Sequence, residues 1–584
     1  MRRGFTIGSS LKLAPAVLAL SILCVSLFVA LLSGRPAPTI KRPHFTDVAA
    51  RSNFSYISNN SPGGHKYFPQ PMCGGVAIFD FDNDGLLDIF FTNGAQLPEM
   101  KKTNPSYYNC LLKQRADGTF EDVTAKAGLT GKDLDFNFGV AVGDYDNDGY
   151  PDLLVTGYGH TILYHNNGNG TFTDVTAKAG VADDGNWSTS AGWFDYDKDG
   201  YLDLFICNYL QWSPETNIWC GEREPGYRAY CNPDHYRGER LKLYHNNRDG
   251  TFTDVSDVSG VGKPEAKGMG VVLADFNNDG WPDIMVANDT WPNFLFLNNH
   301  DGTFREVAYG AGVAASEDGK CEAGMGVDAA DLYGEGWLDI YITHLSQEFN
   351  RLYRNNHDES FDDATFSSGL GNKAYFLSGV GSRLFDYDND GWVDIFQSNG
   401  SMLDNVELYQ SQVSWEEPKL MFRNLGSGKF EKVSEQLGAD FIKPTPGRGA
   451  AVADFDNDGD LDIVISNSND FPQLLRNDGG NANHWLEVML VGVKSNRDGR
   501  GASLKLTTEG LVELRQAQGG MGYMSAQDPR IHFGLGQRKR VESLEITWPS
   551  GIVDKLENVP INQIITVKEG VGIIPRNFPT IHWK

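Results

Sequence analysis

Seven nine-residue stretches of the chain follow, wholly or nearly, the spacing D-x-D-x-D-G-x-x-D. They are DFDNDGLLD from Asp80, DYDNDGYPD from Asp144, DYDKDGYLD from Asp195, DFNNDGWPD from Asp275, DLYGEGWLD from Asp331, DYDNDGWVD from Asp386 and DFDNDGDLD from Asp454. Such a loop gathers oxygens around a hard cation: calcium takes about six to eight, and a tight turn offers side chains from positions one, three, five and nine with a carbonyl from seven. The glycine at position six allows the sharp turn. The expected ligands are Asp80, Asp82, Asp84 and Asp88; Asp144, Asp146, Asp148 and Asp152; Asp195, Asp197, Asp199 and Asp203; Asp275, Asn277, Asp279 and Asp283; Asp386, Asp388, Asp390 and Asp394; and Asp454, Asp456, Asp458 and Asp462. Asn277 keeps an acceptor oxygen, so its loop is expected to bind calcium more weakly. Tyr333 and Glu335 break the pattern in the fifth loop, which leaves about six expected sites and sets the loop at Asp331 apart.

The competing reading is a set of Asp/Gly turns held by side-chain to backbone hydrogen bonds. A turn needs one aspartate, whereas two carboxylates about 5 Å apart repel by roughly 3 kcal/mol at an effective dielectric of about 20. The convergence of carboxylates in each loop therefore points to a metal.

The elements that position these loops are strands. Apolar, β-rich runs flank each loop, as Gly75-Val-Ala-Ile-Phe and Leu87-Asp-Ile-Phe-Phe do around the first, and read as two strands joined by it. Runs such as Leu163-Tyr-His-Asn-Asn and Gly170-Thr-Phe-Thr-Asp-Val supply a second hairpin, so one repeat is four strands. F-x-D-V or a close variant begins at Phe45, Phe120, Phe172, Phe252, Phe304, Phe361 and Phe430 and alternates with the loops. The seventh repeat stops at Leu474-Leu-Arg-Asn without its own copy, and the orphan copy, Phe45-Thr-Asp-Val, lies at the other end of the chain. The expectation is an all-β chain with a seven-bladed β-propeller over residues 43–480, closed by Phe45 to Val48. An open solenoid of the same repeats is the alternative.

These loops and strands resemble FG-GAP/VCBS repeats, the calcium-bearing blades also found in integrin α-subunit propellers. Beyond Asn483, Ser495-Asn-Arg-Asp-Gly-Arg-Gly-Ala, Gly519-Gly-Met-Gly-Tyr-Met-Ser, His532-Phe-Gly-Leu-Gly and Trp548-Pro-Ser-Gly resemble, in order, the ASPIC/UnbV domain, expected over 484–570. The combination is similar to the cartilage acidic protein family, bacterial members included, which implies an exported, acidic, calcium-binding protein. The resemblance also implies a disulfide between Cys220 and Cys231, in the insertion that precedes Phe252. Cys73, Cys110, Cys207 and Cys321 have no pairing fixed by their positions. The residues of the C-terminal segment themselves read as tight turns in a small β-sandwich, with Arg497 and Arg500 available to a carboxylate or sulfate.

Leu13 to Leu32 is an uncharged run preceded by Arg2, Arg3 and Lys12, long enough at about 1.5 Å per residue to cross a hydrocarbon core of ~30 Å. Residues 1–34 are expected to be a signal anchor, with a cleaved signal peptide as the rival, 35–42 a linker and 571–584 a C-terminal tail. The bulk would lie outside the cytoplasm, at the periplasm or cell surface, or be secreted if the segment is cleaved. Six cysteines outside that run suit an oxidising compartment.

A formal net charge of -27 excludes nucleic acid as a partner, since phosphate neutralisation needs basic patches. H-E-x-x-H, G-x-S-x-G and the phosphate-binding glycine loop are absent. The leading expectation is a membrane-anchored interaction or adhesion module for an extracytoplasmic protein or glycan. The alternative is a polysaccharide lyase or hydrolase using the insertion 208–240, whose Trp212, Trp219, Tyr227, Tyr230, His235 and Tyr236 suit sugar rings. A loop packed over a blade is the bland reading of those aromatics, and a pure scaffold a third reading of the whole.

Overall fold

The computed structural model describes residue 1, residues 43–520 and residues 522–581. The expected anchor and linker lie outside these residues. Among the described residues no helix is long and apolar enough to cross a membrane.

Residues from Pro43 onward form one compact, all-β unit. Seven four-stranded antiparallel sheets each carry one acidic loop. In the second, Asn137–Gly143, Asp152–Gly157, Ile162–Asn166 and Phe172–Asp174 pair in chain order, with the loop between the first two strands. Those first two strands are buried along their whole length, which is why they read as continuous apolar runs instead of alternating ones. The fourth strand buries only Phe172, so its sequence is polar apart from the F of F-x-D-V.

The seventh sheet is assembled from both ends of the repeat region. Gly447–Ala453, Asp462–Asn467 and Gln473–Asn477 are joined by Phe45–Asp47, with Phe45 opposite Asn477 and Asp47 opposite Leu475. Beyond that pairing, the Val48 amide donates to the Leu474 carbonyl at 2.8 Å.

Each sheet is also tied to the one before it. The last residue of the third strand is an amide side chain that donates to the position-two carbonyl of the preceding acidic loop. Asn166 reaches Phe81 at 2.8 Å, Asn246 Tyr145 at 2.8 Å, Asn298 Tyr196 at 2.9 Å and Asn355 Phe276 at 2.9 Å. Asn424 reaches Leu332 at 2.9 Å, Asn477 Tyr387 at 2.8 Å, and Gln114 reaches back to Phe455 at 3.0 Å. The last of these bonds joins the first sheet to the seventh, so the seven form a closed circuit. First strands of successive sheets are neighbours, and that of the seventh neighbours that of the first.

The C-terminal segment makes two further four-stranded sheets. One contains His484–Val491 beside Ile531–Gly536 and Ile564–Lys568, the other Ser503–Thr508 and Val541–Thr547. Leu486, Val488, Leu504, Leu506, Phe533, Leu544 and Ile546 form the buried cluster between them. The expected tail begins differently: Gly572–Ile574 adds a strand to the first of these sheets, because a turn at Gly570 brings Gly572 opposite Lys568. Cys220 and Cys231 form the expected disulfide. Cys73, Cys110, Cys207 and Cys321 are unpaired, the first three buried.

Candidate metal centres and the face they form

One hydrogen-bonding scheme builds all seven loops. In the second, Asp144 Oδ1 accepts from the Asp148 amide at 3.0 Å and its Oδ2 from the Gly149 amide at 2.7 Å. Asp148 Oδ1 accepts from Tyr150 at 2.8 Å. Asp152 Oδ2 accepts from Tyr145 at 3.3 Å and its Oδ1 from Asn166 on the third strand at 2.7 Å. The bond from the position-six glycine to the first aspartate recurs at Asp80, Asp195, Asp275, Asp331, Asp386 and Asp454, at 2.7 to 3.0 Å. The backbone thus engages positions one and nine most fully and position three more weakly, Asp146 Oδ1 accepting from the Asp148 amide and Asn277 Oδ1 from the Asp279 amide, both at 3.3 Å. Oδ1 of Asp82, Asp197 and Asp388 is buried with no hydrogen-bond partner.

Ligand atoms of Asp80, Asp82 and Asp88, of Asp144, Asp146 and Asp152, and of Asp195, Asp197 and Asp199 lie within 4.8 Å of one another. His165 with Asp146 and Asp148, and His245 with Asp197 and Asp203, fall within the same distance. A donor set dominated by carboxylate oxygens, with buried oxygens left unpartnered at Asp82, Asp197 and Asp388, fits a hard cation such as calcium. Without a cation these groups resist ionising. Burial pushes Asp152 up to about 7, Asp203 up to about 8 and Asp275 up to about 6, because taking charge out of water is costly.

A partner missed in the sequence is the residue just before the third strand's terminal amide, which presents a basic side chain to the loop. Lys113 pairs with Asp82 and Asp84, and Arg423 with Asp388 at 2.9 Å and Asp390 at 2.7 Å. His165 Nδ1 lies 3.2 Å from Asp152 Oδ1, and His245 Nδ1 3.3 Å from Asp203 Oδ1. The fourth sheet has Leu297 there, and His300 reaches Asp279 instead, at 2.9 Å. Alignment of the seven repeats on their Leu-x-x-Asn ends would have exposed this position. The fifth loop carries the pattern furthest: Arg354 donates to Glu335 at 2.8 and 2.9 Å and lies over the Tyr333 ring at 4.5 Å. The ring stands where the other loops carry an aspartate or asparagine at position three, and the guanidinium pairs with Glu335 at position five.

Position four links neighbouring loops. Asn83, Asn147, Asn278 and Asn389 donate to the position-six carbonyl of the next loop, Gly149, Gly200, Gly336 and Gly459, each at 2.9 Å. Asn457 does the same to Gly85 of the first loop at 3.1 Å.

The acidic loops lie against the C-terminal domain. The Asp144 amide donates to Asp498 at 3.2 Å and the Arg497 amide to Asn147 at 2.7 Å. Gln516 exchanges two bonds with the Asp275 backbone, at 2.9 and 3.0 Å. Arg530 holds Asn457 at 2.7 Å and the Asp454 carbonyl at 2.8 Å, His532 meets Asn389 at 2.6 Å, and Arg576 reaches Asn83 at 2.9 Å. Arg500 is engaged within the protein: its guanidinium donates to the Gln518 carbonyl.

Residues 519–520 and 522–526 run along the first strands. Gly519 exchanges bonds with Leu273 at 2.8 and 3.1 Å, Gly522 donates to Val327 at 2.7 Å, and Ala526 donates to Val76 at 2.9 Å. Met524 accepts from Val140 at 3.2 Å and donates to Ser190 Oγ at 3.0 Å. Five residues before each acidic loop stands Gly75, Gly139, Ser190, Gly270, Gly326, Gly381 or Gly449. A Cβ at Gly75 would sit 2.6 Å from the Met524 carbonyl oxygen and one at Gly449 2.3 Å from Ser525 Oγ, so the small residues admit this segment.

Of the insertion's aromatics, Trp212 is buried, Tyr227, Tyr230 and Tyr236 are partly buried, and Trp219 and His235 are exposed, Trp219 by 45%.

Repeated sheets with acidic loops and a small C-terminal β-domain define an FG-GAP-type repeat protein. The model for FG-GAP-like repeats matches residues 80–155, 144–206, 230–286, 275–342 and 413–465, and that for ASPIC and UnbV matches 492–573. The chain belongs to the family of FG-GAP-like repeat proteins with a C-terminal ASPIC and UnbV domain. Its homologues include cartilage acidic protein 1 of Mus musculus, 28% identical over 529 residues and covering 86% of this chain and 74% of the relative. The Homo sapiens protein of that name is 27% identical over 532 residues, with 86% and 73% covered. Among solved structures, a Bacillus licheniformis rhamnogalacturonan lyase covers 74% of this chain and 75% of its own at 12% identity and a TM-score of 0.35, too distant to carry an argument.

Proposed function

We propose that this chain is an extracytoplasmic interaction module: a seven-bladed β-propeller in which calcium at six acidic loops firms the face that carries the C-terminal domain, while the opposite face meets a protein or glycan partner. The observation that carries this reading is the coverage of the acidic loops by residues 483–581 of the same chain, Gln516, Arg530, His532 and Arg576 among them. Metal ions held in loops that bond to a second domain of the same chain would firm that contact. The closed circuit of amide bonds supports the propeller, and the orphaned oxygens of Asp82, Asp197 and Asp388 support the metal. The Cys220–Cys231 disulfide supports an oxidising location. Attachment to a membrane through Leu13 to Leu32 rests on that segment's residue pattern.

Metal analysis and thermal melting of the full chain test this. About six calcium ions per chain are expected, and six independent sites, each about tenfold saturated, stabilise the fold by roughly 8 kcal/mol. Excess chelator should therefore lower the melting temperature by on the order of 10 °C. A chain that carries no calcium and melts identically in chelator overturns the reading.

A further inference from the structure

The insertion between the second and third strands of the third sheet builds a groove on the loops away from the acidic ones. Three separated stretches line it: Lys66, the hairpin bearing Trp219, Arg223, Glu224 and Arg228, and Asp404 with Asn405, around a volume of about 650 Å³, so that three basic side chains face two acidic ones. The hairpin is held firmly. Cys220 and Cys231 cross-link it, Gly221 pairs with Arg228, and Asn405 Nδ2 donates to the carbonyls of Gly226 and Arg228 at 2.7 and 3.1 Å. The Tyr409 hydroxyl donates to the Tyr227 carbonyl as well.

The charge pattern here runs against the rest of the chain. In a protein of formal net charge -27, most arginines find a carboxylate. Among the described residues Arg223 and Arg228 have none. Both guanidiniums lie over the Trp219 ring, at 6.0 and 4.7 Å. Arg228 Nη2 has only a 3.5 Å contact to the Ile218 carbonyl, and its buried Nε has no hydrogen-bond partner. Asn405 Oδ1 is likewise buried and unpartnered. Lys66, by contrast, is neutralised by Asp404.

We infer that this groove is a binding site for an acidic saccharide of the uronate type. A planar carboxylate suits a guanidinium with free paired donors. The exposed part of the Trp219 indole offers an apolar contact to a pyranose beside the two guanidiniums, and Asn405 Oδ1 an acceptor for a ring hydroxyl. Because the disulfide and the Asn405 bonds fix the hairpin beforehand, little ordering cost falls on binding. The inference deepens the proposed interaction role by naming a ligand class and a site, and it rests on that reading.

Tetragalacturonate is the probe, titrated into the full chain in calcium buffer while tryptophan fluorescence and heat are followed. Maltotetraose serves as the neutral control and tetraglutamate as the peptide control. Saturable binding of tetragalacturonate alone is expected, weakened roughly tenfold or more by Arg228→Gln and comparably by Trp219→Ala. No binding of tetragalacturonate, binding unchanged in both variants, or equal binding of tetraglutamate overturns the assignment. Melting curves with and without chelator on the same samples separate the two proposals: a calcium-stabilised chain that ignores tetragalacturonate sinks this site and leaves the calcium-dependent module standing.

Discussion

The second and fifth acidic loops share a backbone and differ in what fills them. In both, the first aspartate accepts from positions five and six, the last from position two and from the third strand. At position three the second loop has Asp146 and the fifth Tyr333, and from the third strand the second receives His165 and the fifth Arg354. The turn therefore does not require a metal: backbone amides hold it. What creates the need for a cation in the second loop is four converging carboxylates with a single histidine beside them, and the fifth loop lowers that need by swapping the position-three carboxylate for a ring and adding a permanent cation.

The largest consequence lies in the pH response. Burial raises Asp152 and Asp203 to about 7 and about 8, and those two carboxylates, lying beside the imidazoles, raise His165 and His245. A group raised in the folded state holds its proton more tightly there than in the unfolded chain. Its stabilisation is present at low pH and lost as pH rises through the folded value, by up to about 1.4 kcal/mol per pH unit per group. In chelator, stability should therefore fall between about pH 4 and about pH 8. In saturating calcium the metal replaces those protons and the trend should reverse. Parallel melting-temperature profiles with and without calcium would break the comparison.

The parts of this design that repeat were legible in the residues. Loop positions, F-x-D-V strands and the pairing of Phe45 with the seventh repeat follow from motif order, because a repeat declares its own register. Contacts between distant segments were not legible. The path of residues 519–520 and 522–526 along the first strands depends on three-dimensional proximity, although small residues five positions before the loops marked the opening. Arg354 was equally visible as a residue type, yet its role depends on Tyr333 losing the carboxylate it would otherwise neutralise. The strand at Gly572–Ile574 escaped notice because two glycines flank it and its pairing comes from the turn at Gly570.

A smaller effect separates the loops one by one. Asp146→Ala removes the position-three ligand and should release one calcium ion per chain, with a loss of about 1.4 kcal/mol at tenfold saturation. Tyr333→Ala should leave the count unchanged. Metal analysis of both variants, folded and dialysed against micromolar calcium, checks this. Equal counts in the two would mean that position three is not a ligand in the second loop either.

The sharpest use of the comparison is to convert one loop into the other. Tyr333→Asp together with Arg354→His restores to the fifth loop two of the features that distinguish the second and leaves Glu335 as the position-five carboxylate. The backbone scheme is already in place, since Glu335 and Gly336 donate to Asp331 at 2.9 and 2.8 Å. Asp339 already accepts from Leu332 and Asn355, both at 3.0 Å. The exchange also sacrifices the Arg354–Glu335 pair, whose side chains are 42% and 37% exposed, so solvent screening keeps that loss to about 0.5 kcal/mol. One added ion at about tenfold saturation more than offsets it, by roughly 1 kcal/mol net. The double variant should bind one calcium ion more than the parent and melt slightly higher in calcium but slightly lower in chelator. Tyr333→Asp alone should gain less, because Arg354 would pair with the new carboxylate and compete with the metal for it. If the double variant binds no further ion, the metal preference of a loop is set outside position three and its basic neighbour, and the C-terminal residues packed over each loop become the place to look.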